Sequence, residues 1–170
     1  MRRWLPVAMA GVMTTPVLAA DLNVSLEIPR LNVAEYHRPY VAVWIEGADS
    51  KVVTNLAVWY EVKKPNAEGT KWLKDIRAWW RKSGRDLKVP VDGVTGATRP
   101  AGQHSLTFSS GKGPLASLAP GSYTLIVEAA REVGGRELLR VPFQWPATSA
   151  VTAKAQGTHE LGALTVTVTP

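Results

Sequence analysis

Leu22-Asn23-Val24-Ser25-Leu26-Glu27-Ile28 alternates apolar and polar residues without a break. That period of two places Leu22, Val24, Leu26 and Ile28 on one face of an extended strand. The same pattern recurs at Val41, Val43, Ile45; at Leu56, Val58, Tyr60, Val62; at Tyr123, Leu125, Val127, Ala129; and at Leu139, Val141, Phe143, Trp145. It closes the chain at Leu164, Val166, Val168, with Thr165, Thr167 and Thr169 opposite, and a shorter run spans Ser105 to Phe108. Turn formers separate the runs: Gly47-Ala48-Asp49-Ser50, Ala119-Pro120-Gly121, and Gly134-Gly135, the last read as a two-residue hairpin between Val133 and Arg136. About seven short strands joined in this way predict a mainly β protein, an antiparallel Ig-like or fibronectin-like β-sandwich. Pro142 marks the sixth strand as an edge or a bulge, and residues 146–157 read as a soft connector.

The composition agrees with one ordinary globular domain: 170 residues, 45% apolar and 20% charged, with 14 Gly and 12 Pro. Disorder, collagen and long coiled coil are excluded. Arg2 and Arg3 followed by the apolar run Trp4 to Val12 and the small-residue exit Val17-Leu18-Ala19 predict a secretory signal peptide over residues 1–19. Ordinary secretion is preferred to a twin-arginine signal, because the flanking residues match the latter poorly. The mature part, residues 20–170, is expected to be a single β-sandwich domain outside the cytoplasm and not to span the membrane. The sequence has no Cys, and its three Met (Met1, Met9, Met13) all lie in the leader. An exported domain without thiols has no disulfide, no thiolate metal site and no Cys nucleophile.

The net charge of +6 falls to +4 without Arg2 and Arg3. Seven basic residues (Lys71, Lys74, Arg77, Arg81, Lys82, Arg85, Lys88) against Asp75 and Asp86 concentrate it in one segment. Export argues against nucleic acid as the partner of that patch. The same segment breaks the β pattern. Trp72, Leu73, Ile76, Trp79 and Trp80 recur at helical spacing, predicting an amphipathic helix over about 71–83, with Thr70 as its cap and Gly84 at its end. The three tryptophans are read as the face that seals this helix on the sandwich, with a second reading in which one of them flanks a planar ligand.

His37, His104 and His159 are scattered, no Gly-x-Ser-x-Gly elbow occurs, and the carboxylates form no pair. Neither a metal site nor a set of catalytic residues is therefore expected. Residues 86–102, rich in Gly and Pro and lacking apolar periodicity, read as a functional loop.

Within it lies Asp92-Gly93-Val94-Thr95-Gly96-Ala97-Thr98, followed by Arg99-Pro100. This stretch resembles the flavinylation motif Asp-x-x-(Ser/Thr)-Gly-Ala-(Thr/Ser), and all five restricted positions match. The resemblance implies FMN joined through a phosphodiester to Thr98 by a magnesium-dependent FAD:protein FMN transferase. The residue types suit that chemistry. Thr98 offers an aliphatic hydroxyl, Gly96 and Ala97 keep its approach free of bulk, and Thr95 can orient the backbone. Asp92 can fix the turn or help to position a metal-bound phosphate. Arg99 can supply positive charge for the phosphate.

The wider chain also resembles a family of predicted periplasmic proteins of unknown function, through Lys71-Trp72-Leu73-Lys74-Asp75-Ile76-Arg77-Ala78-Trp79-Trp80 and Val91 to Gly102. That resemblance implies partnership with the flavin transferase and with a PepSY-type membrane flavin reductase. The expectation is a periplasmic electron carrier with FMN on Thr98, and Asp92, Thr95, Gly96, Ala97 and Arg99 around it, rather than an enzyme with its own substrate. Two other readings stay open. One is a non-redox binding or assembly module that uses the basic helix 71–83 to contact an acidic partner or a membrane surface. The other is an oxidoreductase with its own substrate pocket beside the flavin.

Overall fold

The computed structural model describes residues 19–170; the leader expected over residues 1–19 lies, apart from Ala19, outside them. The described residues form the expected sandwich of two sheets. One holds four strands in the order β5-β1-β9-β8 and the other five in the order β4-β3-β2-β6-β7. The strands are β1 (Asp21–Ile28), β2 (Tyr40–Glu46), β3 (Val52–Tyr60), β4 (Thr95–Ala97), β5 (Gly102–Ser109), β6 (Gly121–Ala130), β7 (Arg136–Trp145), β8 (Val151–Gln156) and β9 (Ala163–Thr169). Every pairing is antiparallel except β3 with β4.

Alternation sets the packing. Leu22, Val24 and Leu26 of β1, with Leu164, Val166 and Val168 of β9, face Val41, Val43 and Ile45 of β2 and Leu125 and Val127 of β6 across a single core. The other face of β1 and β9 is wet, and its side chains bond across strands, as in Thr107 to Asn23 at 2.8 Å and Thr152 with Thr167 at 3.0 Å.

The five-stranded sheet differs, because β2 is buried along its whole length. Tyr40, Ala42 and Trp44 of β2, with Val58, Tyr60 and Ile126, form a second apolar cluster on its outer face, closed by Leu73, Ile76 and Trp79. A sheet covered on both sides needs near-continuous apolar strands, which is why Tyr40-Val41-Ala42-Val43-Trp44-Ile45 carries no polar residue.

The segment that supplies this cover is not the single helix expected over 71–83. Pro65–Asp75 is 3-10 and α1 covers only Arg77–Lys82. Three residues per turn place Leu73 and Ile76 on the same side, toward the sheet, and turn Trp72 outward. Trp79 is fully buried and Trp80 partly so, whereas Trp72 is 48% exposed, so the three tryptophans do not share one sealing face. Thr70 does not cap a helix start; its hydroxyl donates to the carbonyl of Ala67 at 2.7 Å. Gly84 opens a further 3-10 turn, Gly84–Asp86, and lies so close to Trp79 that a Cβ there would stand 2.5 Å from the indole ring.

Three other expectations need correction. Residues 146–157 are not merely a connector, for they contain β8, paired with β9 from Val151 to Gln156. Only Ala153 and Ala155 of β8 turn inward, so its apolar signal is weak. The β6–β7 connection runs over residues 131–135, closed by Arg131 N–H to Gly135 O at 3.1 Å, and the positive φ falls on Val133 (52°) rather than on the glycines. Finally, residues 86–102 are not all loop, since they include β4. Pro142 does lie on an edge strand, because β7 is the last strand of its sheet.

Candidate functional site

The stretch from Asp92 to Thr98 is a turn running into an edge strand. Thr95 closes the turn twice: its N–H donates to Val91 O at 2.8 Å, and its Oγ1 accepts the Val91 N–H, also at 2.8 Å. Gly93 occupies the left-handed region at the exposed tip (φ 72°). Asp92 is exposed too, and no side-chain hydrogen bond or ion pair holds it among the described residues. Thr95 and the backbone fix the turn, so the Asp92 carboxylate is available to a visiting group.

Thr95, Gly96 and Ala97 then run parallel to Val58, Trp59 and Tyr60 of β3. The pairing is bracketed by Val58 N–H to Val94 O at 2.9 Å and Thr98 N–H to Tyr60 O at 3.2 Å. Gly96 crosses the indole edge of Trp59, where a Cβ would sit 3.2 Å from Cδ1. Small size at Gly96 thus serves backbone packing. Ala97 is exposed, and Thr98 is half-buried just beyond the strand.

Thr98 and Arg99 diverge. The Arg99 guanidinium lies over Trp59, with Cζ 4.4 Å from the ring centroid. His104 meets the same indole edge-on at 5.8 Å between centroids, and its Nε2 lies 2.8 Å from Pro100 O. Arg99 therefore caps the core at the β3 edge, a cation–π arrangement that sequence reasoning did not anticipate.

Thr98 lines a groove of ≈ 770 Å³ on the other side. Four further segments build its walls: the β1–β2 connection with Tyr36 and Arg38, the 3-10 segment with Trp72, the start of α1 with Arg77, and the β6–β7 turn together with Arg136, the first residue of β7. Tyr40 also lines it, donating to Gly69 O at 3.0 Å; burial pushes its hydroxyl pKa up to about 12, so it stays a neutral donor. The arginines that line the groove with Thr98 are thus Arg38, Arg77, Arg131 and Arg136, and not Arg99.

Several groove charges are already engaged. Arg131 pairs with buried Glu160 at 2.8 Å, Arg136 pairs with Glu128 at 2.6 Å, and His37 lies against Glu35 and Glu132. Arg38 and Arg77 enter no ion pair among the described residues. Of the basic surface that α1 continues, Lys71 pairs with Glu68 and Lys82 with Glu46 at 2.7 Å. His37, His104 and His159 do not converge, and no group of His, Cys, Asp or Glu among the described residues could hold a metal ion.

These features define a class of two-sheet sandwich with a helical cover over one sheet and a threonine at the end of a glycine-bearing edge strand. A family model described as "Predicted periplasmic protein (DUF2271)" matches residues 21–163, and the chain belongs to that family. The match spans both sheets, the cover and the Asp92–Thr98 stretch. No curated protein and no solved structure matches the chain. No helix among the described residues is long and apolar enough to cross a membrane.

Proposed function

We propose that this periplasmic protein carries FMN covalently on the Thr98 hydroxyl and serves as an electron carrier. The observation that carries the reading is the placement of Thr98, half-buried at the end of an edge strand, with exposed Ala97 before it and a groove of ≈ 770 Å³ beside it. The residues present fit such a group. The volume lies in the range of small-molecule sites, and aromatic and cationic side chains share the walls.

In the attachment step the Thr98 hydroxyl would release its proton to solvent, and Oγ1 would bond to the flavin-side phosphorus of FAD. The phosphoanhydride bond breaks, and AMP leaves with its electron pair. The donor enzyme is an FAD:protein FMN transferase, to which Asp92 and the tip at Gly93 are open. Thr95 holds the turn, Gly96 and Ala97 clear the approach, and the Arg99–Trp59 stack fixes where Thr98 emerges. When bound, the flavin supplies reversible electron uptake and release; the chain tethers it, shields it and sets the charge around it. Electrons would come from a PepSY-type membrane flavin reductase.

Intact-mass measurement of the protein co-expressed with a transferase tests this reading. The expected result is an adduct of one FMN phosphoryl group on the wild type and on Thr98→Ser, and none on Thr98→Ala. An unmodified wild type, or an adduct that survives in Thr98→Ala, overturns it.

A further inference from the structure

We infer that the groove beside Thr98 is the seat of a planar, carbonyl-edged heteroaromatic ring, the isoalloxazine of the tethered flavin, with Trp72 and Tyr36 as its apolar walls and Arg77 and Arg38 as its cations. The inference rests on the reading that Thr98 bears FMN, and it adds where the ring goes. Seven large apolar side chains are exposed among the described residues, and three of them, Tyr36 (38%), Trp72 (48%) and Val133 (75%), stand on this one groove. An aromatic ring left in water beside a cavity is an unmatched surface that a second flat ring would cover.

The backbone gives a separate indication. Val133, β-branched and at φ 52°, occupies a conformation that such side chains avoid, and it does so on the groove rim. Strain of this kind collects where a chain meets a ligand.

The charges agree with the ring's chemistry. Arg38 and Arg77 have no carboxylate partner among the described residues, and Lys74 Nζ stands 5.7 Å from the Trp72 ring centroid. Of the groove carboxylates, Glu61 pairs with Lys64, Glu132 lies 3.7 Å from His37, and Asp75 enters no ion pair among the described residues. Arg131 also lines the groove. Glu160 occupies its Nε and Nη2, while Nη1 is the one buried side-chain nitrogen or oxygen without a partner among the described residues. A ring that carries carbonyl oxygens and gains negative charge on reduction matches this set of donors.

The experiment uses protein whose mass already shows the adduct. At equal flavin absorbance, wild-type emission should be quenched several-fold relative to free FMN and shielded from iodide. Trp72→Ala should restore most of the emission and the iodide access, and Arg77→Ala should lower the midpoint potential. Trp72 and Arg77 are exposed, so both variants should fold. Adduct-bearing wild type that emits and meets iodide like free FMN overturns the ring seat and leaves the attachment standing. Quenching unchanged in Trp72→Ala, with the potential unchanged in Arg77→Ala, overturns it as well. Absence of any adduct overturns the attachment, and the ring seat with it.

Discussion

Glu128 Oε2 accepts the backbone N–H of Trp79 at 2.9 Å, joining α1 to a residue 49 positions away in β6. Its other oxygen accepts the Ala78 N–H at 3.0 Å and Arg136 Nη1 at 2.6 Å. Glu128 is fully buried, so one carboxylate holds the helical cover against the sheet and neutralises an arginine of the groove. Two amide donors at the first turn also complement its charge.

Glu128→Ala would strip all three donors of their acceptor. We expect a loss on the order of 3 kcal/mol in urea unfolding, from charge-assisted hydrogen bonds and an unpaired arginine. Glu128→Gln, which keeps an acceptor, should lose less. Equal losses in the two variants would show that the clasp is a matter of shape and not of charge.

Gly84 and Gly96 both face an indole, yet they should respond differently to alanine. A Cβ at Gly84 would lie 2.5–2.9 Å from atoms of the Trp79 ring, which is itself fully buried. Overpacking of this kind costs about 1–3 kcal/mol, and we place Gly84→Ala at the upper end. At Gly96 the nearest atom is 3.2 Å away, at the edge of Trp59, so Gly96→Ala should cost about 1 kcal/mol or less. Thermal unfolding of the two variants side by side gives the comparison.

Thr95→Val tests the turn before the edge strand. It keeps the shape but removes the oxygen that accepts the Val91 N–H at 2.8 Å. We expect a loss of about 1 kcal/mol and faster hydrogen exchange at Val91 and Val94, with Thr95→Ser retaining protection.

Glu137 ties β7 to the β8–β9 turn, accepting the N–H groups of Thr158 (2.7 Å), His159 (3.0 Å) and Leu161 (2.9 Å). Burial works to raise its pKa, but these backbone donors outweigh it and hold the carboxyl below its ordinary value. A carboxyl whose folded pKa is depressed stabilises the fold above the unfolded pKa, and the contribution fades as pH falls through the folded one. The stability difference between wild type and Glu137→Gln should thus be constant near neutrality and shrink from about pH 5 downward. A difference independent of pH would refute the assignment.

β1 and β9 were legible in the sequence because burial on one face leaves a period of two, and the end of β7 carries it too, whereas β2 and β6, buried on both faces, were marked by the apolar residues that face the core, Val41, Val43, Ile45 and Leu125, Val127, Ala129. β8 was not, since its inward residues are only alanines, and β4 was not, since three residues of small side chains show no period. The Trp72 ring misled because helical spacing assumes 3.6 residues per turn, and the chain there is 3-10. Asp92 to Thr98 could be found because its residues are contiguous. The groove could not, because Tyr36, Trp72, Thr98 and Arg136 meet only through tertiary structure.

The hold of Tyr60 on the Thr98 amide carries one last implication, about timing. The partner strand lies a full helical cover earlier in the chain, so the hydroxyl is presented in this attitude only once β4 has paired with β3 across that intervening segment. An enzyme that reads the segment in this shape would pass over nascent or misfolded copies, and the covalent mark proposed for Thr98 would then double as a certificate of maturity.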